Sequence, residues 1–261
     1  MPNWVCNHLT IKGENAVDVM RSILTKNEKS DYGYDFDFNK IIPMPEDLKI
    51  ISGSITRTCA KLYLNAIAED APAYVKYAER YVQAFDKDFL LSEQEQIDKM
   101  NDALKYREYP QNTLLFSNKA DVYAYGKRVL DNIAEYGAKD WYDWSIKNWG
   151  SKWNAANTQI NDLNKADIYF DTAWSPVPEV IEKLAALHPN CQFEYEFAEE
   201  QAGFYAGFML CEDGEIARDE VFPEGSKESY DLYFSLWGGQ DEYKYNAKKG
   251  TYEYIEEQEE M

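Results

Sequence analysis

The chain has 261 residues, a formal net charge of −20 at pH 7, 45% hydrophobic residues and 15% aromatic residues. This composition predicts a globular protein with a sizeable core and excludes a disordered chain. No apolar run approaches the roughly 20 residues that cross a bilayer, and the first residues lack the charged and apolar regions of a signal peptide. We therefore expect a cytoplasmic protein that does not contact membranes.

The first 53 residues alternate between strand and helix patterns. The periodicity predicts a strand at 3–12, a helix at 14–25 and a second strand at 34–42 that ends before Pro43. Both faces of the first strand carry apolar residues, which is typical of a central strand. We assign residues 1–53 to the first part of a ferredoxin-like domain.

Residues 54–138 change to a helical period rich in Ala, Lys, Glu and Tyr. Three signals mark helix ends: a capping box formed by Ser92 and Glu95, a candidate N-cap at Asn118, and Gly137 after the last helix. The expected helices run over 57–68, from Pro72 to about 85, from Ser92 to about 107, and from 117 or 118 to Gly137. We interpret the segment as a helical insertion that packs on one end or face of the sheet.

A tryptophan-rich stretch follows at 141–155, and it contains four of the seven tryptophans. Its period-2 alternation predicts the central strand of the C-terminal core, broken at Gly150. We expect Trp149 and Trp153 to be largely buried in a core cluster. The alternative is a ligand-binding platform, with Lys152 and Asn154 as the polar groups of its pocket.

Residues 139–222 form the second part of the same domain in this interpretation. They carry strand patterns at 167–174 and 191–197 around a helix that ends near Leu187, then a hairpin turn at Asp213-Gly214 and an edge strand at 216–222. Residues 223–261 form an acidic C-terminal hairpin and tail. The whole predicts an α+β fold: a ferredoxin-like antiparallel or mixed sheet with helices on one face, a helical insertion and a C-terminal β-hairpin.

The sequence offers no complete catalytic or metal-binding motif. The four cysteines are scattered, and we expect buried free thiols. His8 and Thr10 form half of a two-histidine phosphoesterase signature, but the other histidine, His188, is followed by Pro189 and Asn190. We therefore interpret His8 as a strand residue and expect no catalytic residue, metal or cofactor.

The negative charge is concentrated in the second half of the chain. Residues 1–140 contain 22 acidic and 18 basic residues, whereas residues 141–261 contain 25 and 9. Phosphates would be repelled by this half, so we expect no direct binding to nucleic acid and favour a basic protein partner. The residues proposed to bind that partner follow the strand pattern at 191–197: Glu194, Glu196, Glu199 and Glu200.

Several short segments together carry a resemblance to a known family. They are Pro2-Asn3-Trp4 with Asn7, Leu9 and Gly13; 42–45; 148–155; 170–176; and Glu194-Tyr195 with Gly203-Phe204 and Gly207. Over about the first 50 residues and 140–211, the chain resembles the YubB-type ferredoxin-like domain proteins of plasmids and phages. The resemblance implies a ferredoxin-like fold and a mobile-element origin. It implies no established reaction and no catalytic residue.

Two functional classes remain open from the sequence. The first is a non-catalytic interaction protein that acts on a host protein with a basic surface, for example as an acidic mimic of DNA that inhibits a defence protein. The second is a small-molecule or nucleotide-processing enzyme with a pocket near Trp149, Lys152 and Trp153.

Overall fold

The structure is a computed structural model that describes residues 3–67, 92, 94–95, 97–98, 100, 116, 118–160, 162 and 164–255. The chain divides into two compact units. One combines Met1–Pro43 with Ser145–Met261, and the other is Met44–Trp144, which includes the expected insertion at 54–138. The helix expected from Pro72 lies outside the described residues.

Ten strands and six α-helices are described. The strands are β1 (Trp4–Lys12), β2 (Leu24–Lys26), β3 (Tyr34–Phe36), β4 (Ala156–Gln159), β5 (Asp167–Ala173), β6 (Gln192–Glu199), β7 (Ala206–Glu212), β8 (Glu215–Val221), β9 (Tyr243–Asn246) and β10 (Thr251–Tyr254). The helices are α1 (Ala16–Ser22), α2 (Ser54–Ala66), α3 (Lys119–Tyr136), α4 (Trp141–Trp149), α5 (Pro178–Leu187) and α6 (Lys227–Trp237).

Six strands form one sheet in the order β4-β5-β1-β6-β7-β8, with antiparallel pairing between neighbours. The expected central position of β1 is confirmed, since it pairs with β5 on one side and β6 on the other. Strands β5 and β6 flank β1 and are joined through α5. This crossover gives the ferredoxin-like α+β arrangement that the sequence predicts.

Alternation along the strands separates a core face from an outward face. In β1, Val5, Leu9 and Ile11 are fully buried, whereas His8 and Thr10 on the other face are half-buried. The core face of β5 and β6 adds buried aromatic rings, including Phe170 and Tyr195. Helix α5 packs on this face, where the backbone N–H of Val177 donates to the Tyr195 hydroxyl at 2.9 Å.

The second predicted strand is shorter than expected. The strand β3 ends at Phe36, and a short 3-10 helix occupies Phe38–Lys40 instead of a strand that continues to Ile42. The cause is Asp37, whose carboxylate accepts a hydrogen bond from the backbone N–H of Asn39 and caps that helix. The turn places the Phe38 ring against Trp149, with ring centroids 5.7 Å apart.

The tryptophan-rich stretch is a helix, α4, and the prediction of a central strand there is wrong. The carboxylate of Asp140 accepts hydrogen bonds from the backbone N–H groups of Tyr142 and Asp143, both at 3.1 Å. An acidic N-cap of this kind fixes a helix start, and it outweighed the period-2 pattern of aromatic residues. The two central strands of the sheet are β1 and β6 instead.

Helix α6 was absent from the sequence-based expectation. Ser226 caps its start by accepting from the Ser229 N–H, and Leu232 packs against Ala198 and Ala206 of the sheet. The Sγ of Cys6 lies 3.8 Å from the carbonyl oxygen of Leu236, so α6 covers part of the outward face, opposite α5. The predicted terminal hairpin, β9–β10, is confirmed.

The second unit is built on the close packing of α2 and α3. Asn118, one of the two starts that the sequence allows, caps α3, and Gly137 ends it in the left-handed conformation as predicted. Ser92 and Glu95 form the expected reciprocal capping box. At Gly126 a Cβ would lie only 2.2 Å from the carbonyl oxygen of Cys59, so glycine permits the contact between the two helices.

All four cysteines are buried free thiols, as the sequence predicts. Within the described ranges, no helix combines the length and apolar character needed to cross a membrane.

Candidate functional site

The part of the outward sheet face that remains half-exposed carries a dense set of charged side chains. Directly paired residues of antiparallel strands point to the same side, which places these charged and polar residues on one face together with apolar ones such as Phe208. We call it the open sheet face: His8, Thr10, Lys12, Asp167, Tyr169, Asp171, Glu194, Glu196, Arg218 and Glu220. Five of its members are carboxylates, and two are permanent cations.

His8 lies at the centre of the open sheet face and connects its two neighbouring strands. Its Nε2 is 2.9 Å from Oδ2 of Asp167 on β5, and its Nδ1 is 3.1 Å from Oε2 of Glu196 on β6. The imidazole stacks on the ring of Tyr169 at 4.2 Å with an interplanar angle of 6°. Thr10 donates a further hydrogen bond to Asp167 at 2.9 Å.

The two carboxylates change the protonation of His8. Partial burial lowers the pKa of the imidazole, but the hydrogen bonds and charges of Glu196 and Asp167 outweigh it, so the pKa is raised above 6.5. The imidazolium can donate to both carboxylates at once. It therefore offsets the repulsion between two acidic groups that are held on adjacent strands.

The cations of the open sheet face are paired within it. Lys12 Nζ lies 2.5 Å from Glu194 Oε1, and Arg218 pairs with Glu220 while its guanidinium carbon lies 5.5 Å from the centre of the Phe208 ring. Because each cation already has a carboxylate partner, the remaining charge of the face is negative.

An acidic cleft of about 510 Å³ adjoins the open sheet face between β2–β3 and β4. Its lining includes three carboxylates, Asp31, Asp35 and Asp171, and one cation, Lys29, and Asp171 also belongs to the open sheet face. Burial raises the pKa of the Asp171 carboxyl, whose Oδ2 accepts from Asn157 Nδ2 at 2.8 Å. Among the described residues, no group of three or more His, Cys, Asp or Glu side chains is arranged to hold a metal ion.

The four glutamates expected to bind a partner are divided by the structure. Glu194 and Glu196 lie on the open sheet face, and the alternate residues of β6 are buried. Glu199 is only 6% exposed and accepts from Asn3 Nδ2 at 2.6 Å, whereas Glu200 accepts from the Trp4 N–H at the end of the sheet. Only the first two therefore form a row with other carboxylates.

The structure places the four residues of the expected pocket in two kinds of surroundings. Trp149 is 4% exposed, as expected, and its indole N–H donates to the carbonyl oxygen of Ile42 at 2.9 Å. The Oδ1 of Asn154 accepts from the Phe38 N–H, and its Nδ2 donates to Asp37, so this side chain supports the turn after β3. Trp149 and Asn154 are structural residues.

Trp153 and Lys152 lie at the surface instead, and the expectation that Trp153 is largely buried is wrong. Trp153 is 38% exposed, and its ring centroid is 6.1 Å from that of Trp4. The Nζ of Lys152 lies 4.3 Å from the centre of the Trp153 ring and 4.9 Å from that of Trp174. The bend at Gly150, with φ of +76°, directs the chain outward after α4.

The sequence-based reasoning missed His8, Asp167 and Asp171 as members of one site. It placed His8 on a strand correctly but gave it no role. The available signal was the period of 2: Asp167, Tyr169 and Asp171 alternate with buried residues in the same way as Glu194 and Glu196. What the pattern could not supply was the strand order that brings β5 and β6 to either side of β1.

Comparisons with known proteins bear on the fold. Residues 149–239 match a family model described as a ferredoxin-like domain in Api92-like protein. The match confirms the predicted fold type and extends past Cys211 through α6. The crystal structure of a protein, api92, from Yersinia pseudotuberculosis is similar over 86% of this chain and 99% of that chain, with 16% identity and a TM-score of 0.39. No curated protein sequence gives a significant match.

Proposed function

We propose that the protein is a non-catalytic interaction protein that binds a cationic segment of a protein partner on its open sheet face. The observation that supports this most directly is the projection of carboxylates from adjacent strands on one half-exposed surface, around His8. The opposite face of the same strands is core. The outward side chains are therefore available to a partner.

The geometry of a sheet makes these charges act together. Alternate residues of a strand lie about 7 Å apart and neighbouring strands about 5 Å apart. Both distances are shorter than the screening length of about 8 Å at physiological ionic strength, so the potentials of the carboxylates add. A partner with lysine and arginine side chains would be attracted over a long range, and its association rate would fall with added salt.

The acidic cleft supports the same function. Because Asp171 contributes to both surfaces, a basic side chain bound on the open sheet face could extend into the cleft toward Asp31 and Asp35. Carboxylates that line a concave site provide charge-assisted hydrogen bonds to ammonium or guanidinium groups. The cleft would fix the position of the partner, and the face would supply the attraction.

The narrower form of the proposal is that the acidic surface mimics DNA. Its supports are the net charge of −20 and the resemblance to YubB-type proteins of plasmids and phages. A mobile element benefits when it blocks a host defence protein, and such proteins commonly carry basic nucleic-acid grooves. In this form the protein acts in the host cytoplasm, and duplex DNA should displace it from its partner.

Two double variants with equal charge test the proposal. Glu194→Gln/Glu196→Gln removes two carboxylates from the open sheet face, and Glu182→Gln/Glu228→Gln removes two exposed ones from α5 and α6. The probe is a fluorescent nona-lysine peptide, and its binding is followed by anisotropy over a salt series. We expect the first variant to bind roughly 3–10-fold more weakly than the second. Equal affinities for the two variants would contradict the proposal.

A further inference from the structure

Trp174 combines a strained backbone with an exposed side chain. Its φ is +72°, in the left-handed region that bulky residues rarely adopt, and 47% of the residue is exposed. Glycine would occupy this conformation without strain. A large, half-exposed indole is nevertheless held there, and strained residues of this kind cluster at functional sites.

The strained conformation is fixed from both sides. The backbone N–H of Trp174 donates to the carbonyl oxygen of Asn3 at 2.9 Å, and Thr172 Oγ1 donates to the carbonyl oxygen of Ser175 at 2.7 Å. These hydrogen bonds hold the turn after β5 and direct the indole toward Lys152. The turn therefore places two exposed indoles, Trp153 and Trp174, around one ammonium group.

The position of Lys152 shows what this pair of indoles can bind. Its Nζ is within 5 Å of both ring centres, which is the geometry of a cation–π site with two rings. A guanidinium group is planar, stacks on indole rings and is less strongly hydrated than an ammonium group. Arginine would therefore bind between these rings more favourably than the lysine that lies there.

A buried acceptor lies at the same end of the sheet. The register pairs Trp4 with Ala173 and Val5 with Glu199. The start of β1 and the ends of β5 and β6 therefore lie together, next to Trp174. Glu199 is 6% exposed, and its Oε2 has no hydrogen-bond partner among the described residues. Asn3 connects the two features, since it donates to Glu199 Oε1 and accepts from the Trp174 N–H. A buried carboxylate oxygen without a partner favours a cationic ligand nearby.

We propose that Trp153 and Trp174 form a binding site for an arginine side chain of the basic partner, and that Lys152 occupies this site in the free protein. The inference rests on the proposed function and adds the identity of one partner group. The open sheet face would attract any cationic segment, whereas the two indoles would select arginine over lysine.

Two peptides of equal length and charge separate the two proposals. Fluorescent nona-arginine and nona-lysine are titrated with the full chain at the same salt concentration. We expect the wild type to bind nona-arginine roughly fivefold more tightly. In Trp174→Gly this preference should disappear, because nona-arginine loses more affinity than nona-lysine when one of the two rings is removed. Because glycine suits φ of +72°, relief of backbone strain offsets part of the burial that is lost with the indole, so the variant should remain folded, and its thermal unfolding checks this.

A lysine variant tests the occupied state of the site. Lys152→Ala vacates the space between the indoles, and Lys183→Ala removes an exposed lysine from α5 with the same change of charge. We expect the first variant to bind nona-arginine more tightly than the second. Equal affinity for both, or an arginine preference that persists in Trp174→Gly, would overturn the inference and leave the proposed function intact. If neither peptide binds the wild type, both proposals fail.

Discussion

His8 and Glu196 face each other directly across β1 and β6, and the imidazole Nδ1 lies 3.1 Å from the Glu196 carboxylate. With Asp167 on the other side at 2.9 Å, one ring connects carboxylates from the two strands that flank the centre of the sheet. The protonation of this single side chain therefore affects both the stability of the sheet and the charge of its open face.

The first prediction concerns pH. The pKa of His8 is raised above 6.5 in the folded protein, so its protonated form stabilises the native state fully below about pH 6.5. This contribution is lost as the pH rises through the higher folded pKa. The difference in melting temperature between wild type and His8→Gln should be larger at about pH 5.5 than at about pH 9.

His188→Gln serves as the control for this experiment, because it removes the other histidine of the chain and leaves His8 with its two carboxylate partners. A constant difference between wild type and His8→Gln across the pH range would show that the ion pairs at His8 do not contribute to stability.

The second prediction concerns a buried polar network in the core. The Tyr195 hydroxyl donates to Asn7 Oδ1 at 2.6 Å and accepts from the Val177 N–H at 2.9 Å. Tyr195→Phe removes both bonds and should lower the free energy of unfolding by about 1–3 kcal/mol. Tyr205→Phe, at an exposed position, should have little effect in the same denaturant titration. Equal losses in the two variants would contradict the network.

The third prediction compares two tryptophans that are close in sequence. Trp149→Ala leaves a cavity beside Phe38 and should cost about 3–5 kcal/mol of stability. Trp153→Ala removes a 38%-exposed side chain and should cost clearly less. Thermal or chemical unfolding of both variants checks the order. A larger loss at Trp153 would mean that its indole lies in the core.

The fourth prediction concerns the contact between α2 and α3. Replacing a helical glycine with alanine ordinarily stabilises a helix by about 1 kcal/mol. At Gly126 the added Cβ would lie 2.2 Å from the Cys59 carbonyl oxygen, so Gly126→Ala should instead destabilise the protein by roughly 1–3 kcal/mol. A stabilising effect in denaturant unfolding would show that the two helices are not in close contact.

Much of the fold could be predicted from local sequence signals. The strand pattern of β1, the start of α5 at Pro178, the turn at Asp213-Gly214 and the caps of α3 all act over a few residues. These signals are read directly from the chain because their physical causes are local.

The errors arose where a local pattern had two solutions. Aromatic residues at 141–149 satisfy a period of 2, but the carboxylate of Asp140 caps a helix there. Helix α6 was missed because the aromatic, polar and acidic residues that follow Ser226 gave a weak helical signal. In both cases the outcome depends on a cap and on packing with distant residues.

The candidate site could be predicted only in part. The alternation of Glu194 and Glu196 with buried aromatic residues was correct, but Glu199 turned inward at the end of β6. The association of His8 with Asp167 requires the order of the strands, since the two residues lie 159 positions apart in the chain. No local pattern contains that information.

The central claim, that the open sheet face binds a cationic partner, is tested most directly by mapping the contact. Amide chemical shifts of the ¹⁵N-labelled protein are recorded during titration with nona-lysine. The account predicts shifts concentrated at Thr10, Tyr169 and Glu196, and small shifts at Glu228 on α6 and Tyr245 on β9. Shifts centred on α6 and the terminal hairpin, with none on β1, β5 and β6, would contradict it.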